Sequence, residues 1–506
     1  MKGKAFDSTA YLEAQRRAII RRVEAFGGKL YLEFGGKLLL DQHAARVLPG
    51  YDPNAKLEIL KLMQDDLELL FCVSAKDIQK GRIRGDFGLT YENATLKTLD
   101  DLWDHSIPVR AVVITRYAGE EQAQRLRDYL TQLGLDVYMQ PELPEYPQNV
   151  ECIVSSTGYG SYPYIPTSRP LVVVTGAGPG SGKMGTCLAQ VYHETRQGTS
   201  AGFAKFETFP VWDLPMGHPL NLSYEAATAD LGDAVVVDPF HLEAYGKVAV
   251  NYNRDVENFR IMRRILERIA GSPQGVQYRS PTDMGVNMVR AGIVDEEDVK
   301  EAGRQEIIRR YLRYNWEVLR RVERVETVQR VRKLMLENDI EVSERKVLVH
   351  ARQEADAARQ AGKGNKGIFC GAAIELENGT IITGKNSPLL HAEAAMVLNA
   401  IKHLALIPDN IHLLAPGIIT NIHQLKTGSL QGKSASLNLS ETLVALAISS
   451  ATNPTAAAAL EFLTALRGCQ MHTTHAPGRG DDDALRKMGV VMTTDARPAQ
   501  HQFLMR

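Results

Sequence analysis

The segment RPLVVVTGAGPGSGKMGTCLAQVYHE, residues 169–194, combines a short apolar run, closely spaced glycines and a helical pattern. The apolar run 171–175 predicts a strand that is buried on both faces, as in the middle of a parallel sheet. The glycines permit positive φ angles and a close approach of the backbone to a ligand. The helix that follows directs its free N–H groups and the positive end of its dipole toward the turn. The segment therefore predicts a strand, a phosphate-binding turn and a helix.

Lys183 supports this prediction, because a lysine after the last glycine of such a turn offers a positive charge to a phosphate. The predicted ligand-binding residues belong to the turn and the start of the helix: Gly178, Gly180, Ser181, Gly182, Lys183 and Thr186. The usual pattern, G-x-x-x-x-G-K-[ST], is not fully matched. Ala177 stands in place of the first glycine, and Met184 in place of the hydroxyl that binds Mg²⁺. A turn that only packs a helix on a sheet is the open alternative.

A second apolar run, residues 234–237, ends at Asp238 and resembles the end of a Walker B strand. Its carboxylate is predicted to hold Mg²⁺ directly or through water. The alternative is an aspartate that caps the turn before Pro239. His241 and Glu243 form an H-x-E pair that could bind a metal or move protons, or could be a hydrogen-bonded structural pair. The predicted catalytic residues are Lys183, Asp238, His241 and Glu243.

Short apolar runs alternate with helical stretches through the first half of the chain, which predicts an α/β fold with a Rossmann-like or P-loop-like parallel sheet. Ligands of such sheets bind beyond the carboxyl ends of the strands. The predicted strands are residues 30–34, 67–73, 109–115, 137–139 and 171–175, with 152–154 as a further candidate. The turns between them place basic residues near the predicted site: Lys37, Lys76, Arg82, Arg84 and Arg116.

A helical region follows the sheet and includes one long predicted helix, residues 297–338. Tyr311, Val318 and Val325 recur at a seven-residue spacing, and arginines occupy the opposite face. A charged face in contact with solvent is the plainer interpretation. The alternatives are association of the helix with a second copy, or a basic wall for an anionic ligand. A homo-oligomer is predicted on the basis of the first.

Residues 369–400, FCGAAIELENGTIITGKNSPLLHAEAAMVLNA, predict a hairpin that turns at Asn378-Gly379 and a helix that starts at HAEAA. This arrangement resembles the cytidine-deaminase fold, and the resemblance implies a metal ligand at His391 and a proton carrier at Glu393. The family also has P-C-x-x-C on the next helix. The corresponding stretch is predicted at residues 415–419, where APGII has no thiolate, so zinc is not expected. CQMHTTH, residues 469–475, could supply other soft ligands.

The composition excludes several classes of protein. The 59 basic and 60 acidic residues nearly cancel, so neither nucleic acid nor a membrane surface is an expected partner. No apolar run reaches the length of about 18 residues that a membrane span requires. The five cysteines are widely separated, and the start of the chain lacks a signal-peptide core, which together predict a cytoplasmic protein with reduced thiols. The expected partner is a small anionic ligand such as ATP or GTP with Mg²⁺.

From end to end the chain resembles a bacterial family of conserved hypothetical proteins of about 500 residues, which has no settled activity. The resembling stretches include LYLEFGGKLLLDQHAARVLPGYDPNAK, FCVSAKDIQKGRIRGDFGLTY, KFETFPVWDLPMGHPLNLSYEAATADL and DPFHLEAYGKVAVNYNRDVE. Three domains are predicted: phosphate- or nucleotide-binding α/β over residues 1–252, helical over 253–361, and deaminase-like α/β over 362–506. A nucleotide-dependent enzyme, a metal-dependent hydrolase or deaminase at His391 and Glu393, and a non-catalytic nucleotide sensor or assembly scaffold are the functional hypotheses.

Overall fold

The structure is a computed structural model that describes residues 4–81, 89–143, 146–272, 275–432 and 434–498. Its strands are β1 (Leu30–Phe34), β2 (Leu67–Ser74), β3 (Val109–Tyr117), β4 (Val137–Pro141), β5 (Leu171–Gly176), β6 (Gly202–Phe206), β7 (Val235–Val237), β8 (Val250–Tyr252), β9 (Gly285–Val286), β10 (Gly371–Glu375), β11 (Ile381–Lys385), β12 (Gln470–Thr473) and β13 (Val491–Thr494). The contacts within the chain divide it into two compact units. One holds residues 4–225 and 232–303, and the other holds residues 226–231 and the described residues from 304 onward.

The helices of the first half are α1 (Ser8–Ala25), α2 (Gln42–Val47), α3 (Ala55–Lys61), α4 (Ala75–Gln79), α5 (Tyr91–Asp104), α6 (Glu121–Gln132), α7 (Val150–Ile153), α8 (Lys183–Arg196), α9 (Pro219–Ala227), α10 (Pro239–Tyr245), α11 (Asn253–Ala270) and α12 (Pro281–Met284). Those of the second half are α13 (Glu296–Leu319), α14 (Val325–Glu337), α15 (Lys346–Gln360), α16 (Ala392–Leu404), α17 (Pro416–Gln424), α18 (Leu439–Ser450), α19 (Pro454–Leu460) and α20 (Arg479–Met488).

The first unit is built on a seven-stranded parallel sheet in the order β4-β3-β2-β5-β1-β6-β9. This confirms the predicted α/β class. Side chains on the two faces of the sheet enter separate cores, as the alternation of a strand requires. Leu30 and Leu32 of β1 pack with α3 on one face, whereas Val172 and Val174 of β5 pack with α8 on the other.

The connections from β1 and β5 leave the sheet on opposite faces, although these strands are direct neighbours. Such a reversal opens a crevice at the carboxyl ends of the two strands, which is where ligands of open α/β sheets bind. The glycine-rich turn lies at this crevice, since it joins β5 to α8. The fold therefore places the predicted phosphate turn at the carboxyl end of a central strand of the sheet.

The second unit contains a four-stranded sheet in the order β11-β10-β12-β13, in which only β12 and β13 run parallel. Helix α15 packs on one face, where a Cβ atom on Gly371 would lie 2.1 Å from the carbonyl oxygen of Ala351. Helix α16 packs on the other face, where a Cβ atom on Gly384 would lie 2.2 Å from the amide nitrogen of Met396. These two glycines therefore allow helices to approach both faces closely.

The strand predicted over residues 234–237 is present as β7, and it pairs with β8 in a two-stranded antiparallel sheet. Two predictions about elements are wrong. Residues 152–154 do not form a strand, because 150–153 are helix α7. The long helix predicted over 297–338 is interrupted between α13 and α14, where Arg321 has a φ of +58°. The predicted domain boundaries at 252 and 361 stay predictions.

Among the residues that the structure describes, no helix has the length and apolar character needed to cross a membrane.

Candidate functional site

The glycine-rich turn is held against its neighbours through its backbone. The amide of Ala177 donates to the carbonyl oxygen of Cys72 at 3.0 Å, and the Thr115 hydroxyl donates to that of Ser181 at 2.8 Å. Gly182 has a φ of +83°, and a Cβ atom there would lie 2.7 Å from the side chain of Thr115. Only glycine fits this position, because both the conformation and the space exclude a side chain. The turn is therefore a fixed structure.

Lys183 is the first residue of α8, and its ammonium group folds back over the turn. Its Nζ lies 3.3 Å from the carbonyl oxygen of Gly178 and 3.5 Å from the hydroxyl of Ser181. Helix α8 has no side-chain cap at Gly182 and no acidic residue in its first turn. The first amides of a helix need acceptors from outside the helix. The ammonium group of the partly exposed Lys183 therefore lies at the same helix start as these amides. Both oxygens that it contacts are neutral.

The other predicted ligand residues differ in their accessibility. Gly180 is exposed at the tip of the turn, whereas Ser181 is buried beneath it. Thr186 is completely buried, and its hydroxyl donates to Oε1 of Gln140 at 2.9 Å. The hydroxyl of Thr186 is therefore engaged inside the protein.

Two polar atoms near the head of α8 are buried and have no hydrogen-bond partner: Nε2 of Gln140 and Oε2 of Glu33. Gln140 lies against Thr186, and Glu33 lies on β1 beside the strand that carries the turn. A buried polar atom without a partner costs free energy. Neither residue was predicted from the sequence. A glutamate in the otherwise apolar strand LYLEF was the available signal.

Further charged residues lie near Glu33, on the neighbouring strand β6 and just after it. Lys205 is the register partner of Glu33 on β6 and forms an ion pair with Asp255. Burial and the charge of Asp255 raise the pKa of Glu207 to about 8, and Lys205 opposes this shift. Of the predicted basic residues, Lys76 and Arg116 contact Glu142, while Arg82 and Arg84 lie outside the described residues.

The contacts described for the turn include none to Asp238, His241 or Glu243. Both oxygens of the completely buried Asp238 are engaged: one caps α10, and the other accepts from the amide and the hydroxyl of Thr282. His241 is buried, and its ring lies 3.0 Å from the Ser280 hydroxyl. Glu243 is exposed, because residues two apart on a helix face different directions.

A second site lies in the other unit, where the starts of α16 and α20 meet. Nδ1 of His391 lies 2.8 Å from Oδ2 of Asp481, and the Thr473 hydroxyl donates to Glu393 at 2.7 Å. One ligand atom from each of His391, Glu393 and Asp481 lies within 4.8 Å of the other two. We call these three residues the trio. His391 and Glu393 were predicted from the sequence. Asp481 was not, because it lies 90 positions beyond His391 and no local pattern marks it as a site residue.

Burial and the neighbouring Asp481 raise the pKa of Glu393 to about 7. For His391, burial lowers the pKa, but the hydrogen bond to Asp481 and the charges of Asp481 and Glu393 outweigh burial and raise it. Protons therefore bind to the trio more readily than to exposed side chains of the same types.

The helix start beside His391 is that of α20, whereas the predicted counterpart, residues 415–419, leads into α17. The segment at α20 is Pro477-Gly478-Arg479-Gly480-Asp481. The other proposed soft ligands lie elsewhere: His472 faces Thr493 and Asp495, and Cys469 contacts the carbonyl oxygen of Ala465.

Comparison with known proteins gave matches over nearly the whole chain. A family model described as "Domain of unknown function DUF1846, N-terminal" matches residues 4–339, and its C-terminal counterpart matches residues 343–503. A UPF0371 protein of Clostridium botulinum (strain Alaska E43 / Type E3) is 49% identical over 490 residues, which is 97% of each chain. A UPF0371 protein of Clostridium tetani (strain Massachusetts / E88) is 47% identical over the same share.

Proposed function

Because this chain belongs to the DUF1846 family, whose description names no reaction, we propose a function from its geometry: the head of α8 binds the phosphate group of a small ligand. The family membership confirms the resemblance seen in the sequence. The observation that carries the proposal is the coincidence of uncapped helix amides with the ammonium group of Lys183. An anion there meets the helix dipole, N–H donors and a positive charge together.

Two further features support this proposal. The turn follows β5 at the carboxyl ends of β1 and β5, and its tip at Gly180 is exposed. Among the described residues, the ammonium of Lys183 contacts the neutral oxygens of Gly178 and Ser181, so a phosphate has no described carboxylate to displace from it. Nucleotides such as ATP or GTP are the ligands to test first, in a Rossmann-like or P-loop-like site.

Isothermal titration of the full chain with phosphate, pyrophosphate, ATP and GTP, each with and without Mg²⁺, tests this proposal. Loss of a charge-assisted hydrogen bond costs about 1.5–3 kcal/mol, so Lys183→Ala should weaken binding by roughly 10- to 100-fold. Lys97→Ala is the matched control, since Lys97 is a half-exposed lysine of the same unit. Equal affinity of wild type and Lys183→Ala, or no heat with any of the four ligands, would overturn the proposal. Binding without turnover would identify a nucleotide sensor.

The trio supports a second candidate function, a deaminase-like hydrolytic site in the C-terminal part of the chain. The hairpin β10–β11 leads to a helix with His391 at its start, and the start of α20, after β12, lies beside it. Pro477 and Asp481 occupy the positions of the proline and the second cysteine of P-C-x-x-C. In this proposal Asp481 orients the ring of His391, and the buried Glu393 transfers protons to or from the substrate.

Ammonia release from a panel of cytidine, adenosine, guanosine and free nucleobases tests the second candidate. Proton transfer by a positioned side chain contributes about 10²- to 10⁴-fold to a rate, so Glu393→Gln should reduce release by at least about 100-fold. Glu377→Gln is the control, since Glu377 is exposed in the turn of the same hairpin. Release that is unchanged by Glu393→Gln, or absent from the whole panel, would refute this candidate.

A further inference from the structure

The zinc site that a deaminase-like fold implies does not fit this chain. Gly478 and Asp481 stand where P-C-x-x-C has its two cysteines, so neither thiolate is present. We propose instead that His391, Glu393 and Asp481 bind one divalent cation of the kind that prefers imidazole and carboxylate ligands, such as Mn²⁺. This inference rests on the second candidate function for its location. With the ion bound, Glu393 and Asp481 are ligands in place of the proton-transfer and orienting roles given there, and the evidence and the test concern binding alone.

The distances within the trio suit a single ion. Metal–ligand bonds to imidazole nitrogen and carboxylate oxygen are about 2.0–2.2 Å long, so ligands of one ion are at most about 4.3 Å apart. The three candidate atoms already lie within 4.8 Å of one another. A contraction of a few tenths of an ångström therefore completes the site, and rotation of the side chains can provide it.

The charges of the trio also favour a cation. Glu393 is 6% exposed and Asp481 is completely buried, so two carboxylates share one low-dielectric place with a single imidazole. Among the described residues, Lys426 is a positive group that acts on His391, but its ammonium is bonded to Glu441 at 2.7 Å. Buried carboxylates that are not neutralised cost several kcal/mol. A divalent cation offsets both charges at once and releases the protons that His391 and Glu393 otherwise hold.

The surroundings orient the ligand atoms. The amide of Leu439 donates to Oδ1 of Asp481 at 2.7 Å, which leaves Oδ2 directed toward His391. The Thr473 hydroxyl holds Oε1 of Glu393 in the same way. Hydrogen bonds of this kind fix the ligands of metal sites and contribute to their affinity. Oxygen-rich sites without thiolate suit Mn²⁺ and Mg²⁺, and imidazole adds affinity for transition metals.

Isothermal titration of the EDTA-treated full chain with MnCl₂, MgCl₂ and ZnCl₂ tests this inference. We expect one Mn²⁺ per chain and a weakening of at least about tenfold in Asp481→Asn, as for other lost metal ligands. Asp483→Asn is the control, since Asp483 lies on the same helix and is half exposed. Circular dichroism verifies that each variant is folded, and Glu393→Gln provides a second ligand variant if Asp481→Asn is not.

Asp481→Cys tests the role of the missing thiolate. It should shift the ratio of zinc to manganese affinity by at least tenfold toward zinc, because thiolates favour zinc. The inference is wrong if wild type takes up none of the three ions at millimolar concentration, or if Asp481→Asn and Glu393→Gln both bind Mn²⁺ as wild type does. Manganese binding without ammonia release would retain this inference and reject the deaminase-like reaction, so the two failures are distinguishable.

Discussion

Glu207 shows how one buried residue links the stability of the protein to pH. The charges of Asp255 and Glu33 act on its carboxyl group, and burial makes the charged form unfavourable there. Lys205 stabilises the charge only in part, because its ammonium is already paired with Asp255. The native protein therefore keeps a proton on Glu207 at pH values where the unfolded chain has lost it.

We expect the thermal stability of the wild-type protein to fall as pH rises from about 5 to 8. The pKa of Glu207 is 4.5 ordinarily and about 8 in the folded protein, so the folded state binds more protons throughout this window. Stability falls with pH wherever that is the case. Calorimetry should show a shallower decline for Glu207→Gln, which cannot titrate. An equal slope in both proteins would contradict the assignment.

At the scale of residues, local patterns in the sequence identified Lys183, His391 and Glu393 correctly as neighbours of a turn or a helix start. Two residues near these positions were not predicted. Gln140 contacts Thr186 and Asp481 contacts His391, and each lies on an element far away along the chain. Their distance along the sequence explains why no spacing rule could find them. Asp238 shows the opposite case, since a local pattern suited both a metal ligand and a helix cap.

Asp238→Ala should separate those two interpretations of Asp238. Its carboxylate accepts from the amides of Phe240 and His241 and from Thr282, so its removal leaves several buried donors unpaired. We expect a loss of about 2–3 kcal/mol in the free energy of unfolding. Phosphate-ligand affinity, measured by titration at a temperature where the variant is folded, should be unchanged. A loss of Mg²⁺-dependent nucleotide binding would favour the magnesium role instead.

At the scale of elements, α8 and its turn carry the first proposed function, and two glycines mark the end of the turn and the first turn of the helix. Gly182 has a positive φ and no room for a side chain. Gly185 lies in the first turn of α8. Apart from its chain neighbours and the backbone of its own helix, no atom of the described residues lies within 4 Å of the position that a Cβ atom would take there. The same substitution therefore has opposite expected effects at these two positions.

Gly182→Ala should destabilise the protein by about 2–3 kcal/mol, because strain and a contact with Thr115 add together. Gly185→Ala should be neutral or stabilise it by up to about 1 kcal/mol, because alanine favours a helix. Chemical denaturation measures both. If Gly185→Ala is as harmful as Gly182→Ala, the open space above the helix start does not exist as described.

The existence of most elements followed from apolar periodicity, but their arrangement did not. The five strands predicted first are all present, because continuous apolar runs between turns are typical of buried parallel strands. The position of β5 between β1 and β2 has no counterpart in any local pattern. The interruption after Leu319 was missed because the charged residues that follow are good helix formers.

At the scale of the whole molecule, each unit has a hydrophobic core of its own. Val173 is completely buried in the core of the parallel sheet, and Ile374 is completely buried in that of the four-stranded sheet. Chains built from more than one core commonly unfold in more than one step. The boundary between the two units, at residue 303, lies inside α13.

We expect two heat-absorption transitions in calorimetry of the full chain. Val173→Ala and Ile374→Ala each create a cavity that costs about 2–4 kcal/mol. Each substitution should lower the midpoint of a different transition by several degrees, because each removes contacts from one core only. A single transition that both variants shift equally would show that the chain unfolds as one cooperative unit.

The order of strands in the parallel sheet has a consequence for the synthesis of this protein. β1 leaves the ribosome first, yet both of its sheet neighbours, β5 and β6, are made more than 130 residues later. Until β5 has emerged, β1 is an apolar strand without a neighbour in the sheet, and β2 exposes the edge that β5 will occupy. The other edge of β1 stays open until residue 206 has emerged. Such edges attract other chains. We expect the nascent protein to depend on chaperones up to that length and to complete the sheet around β1 late in its synthesis.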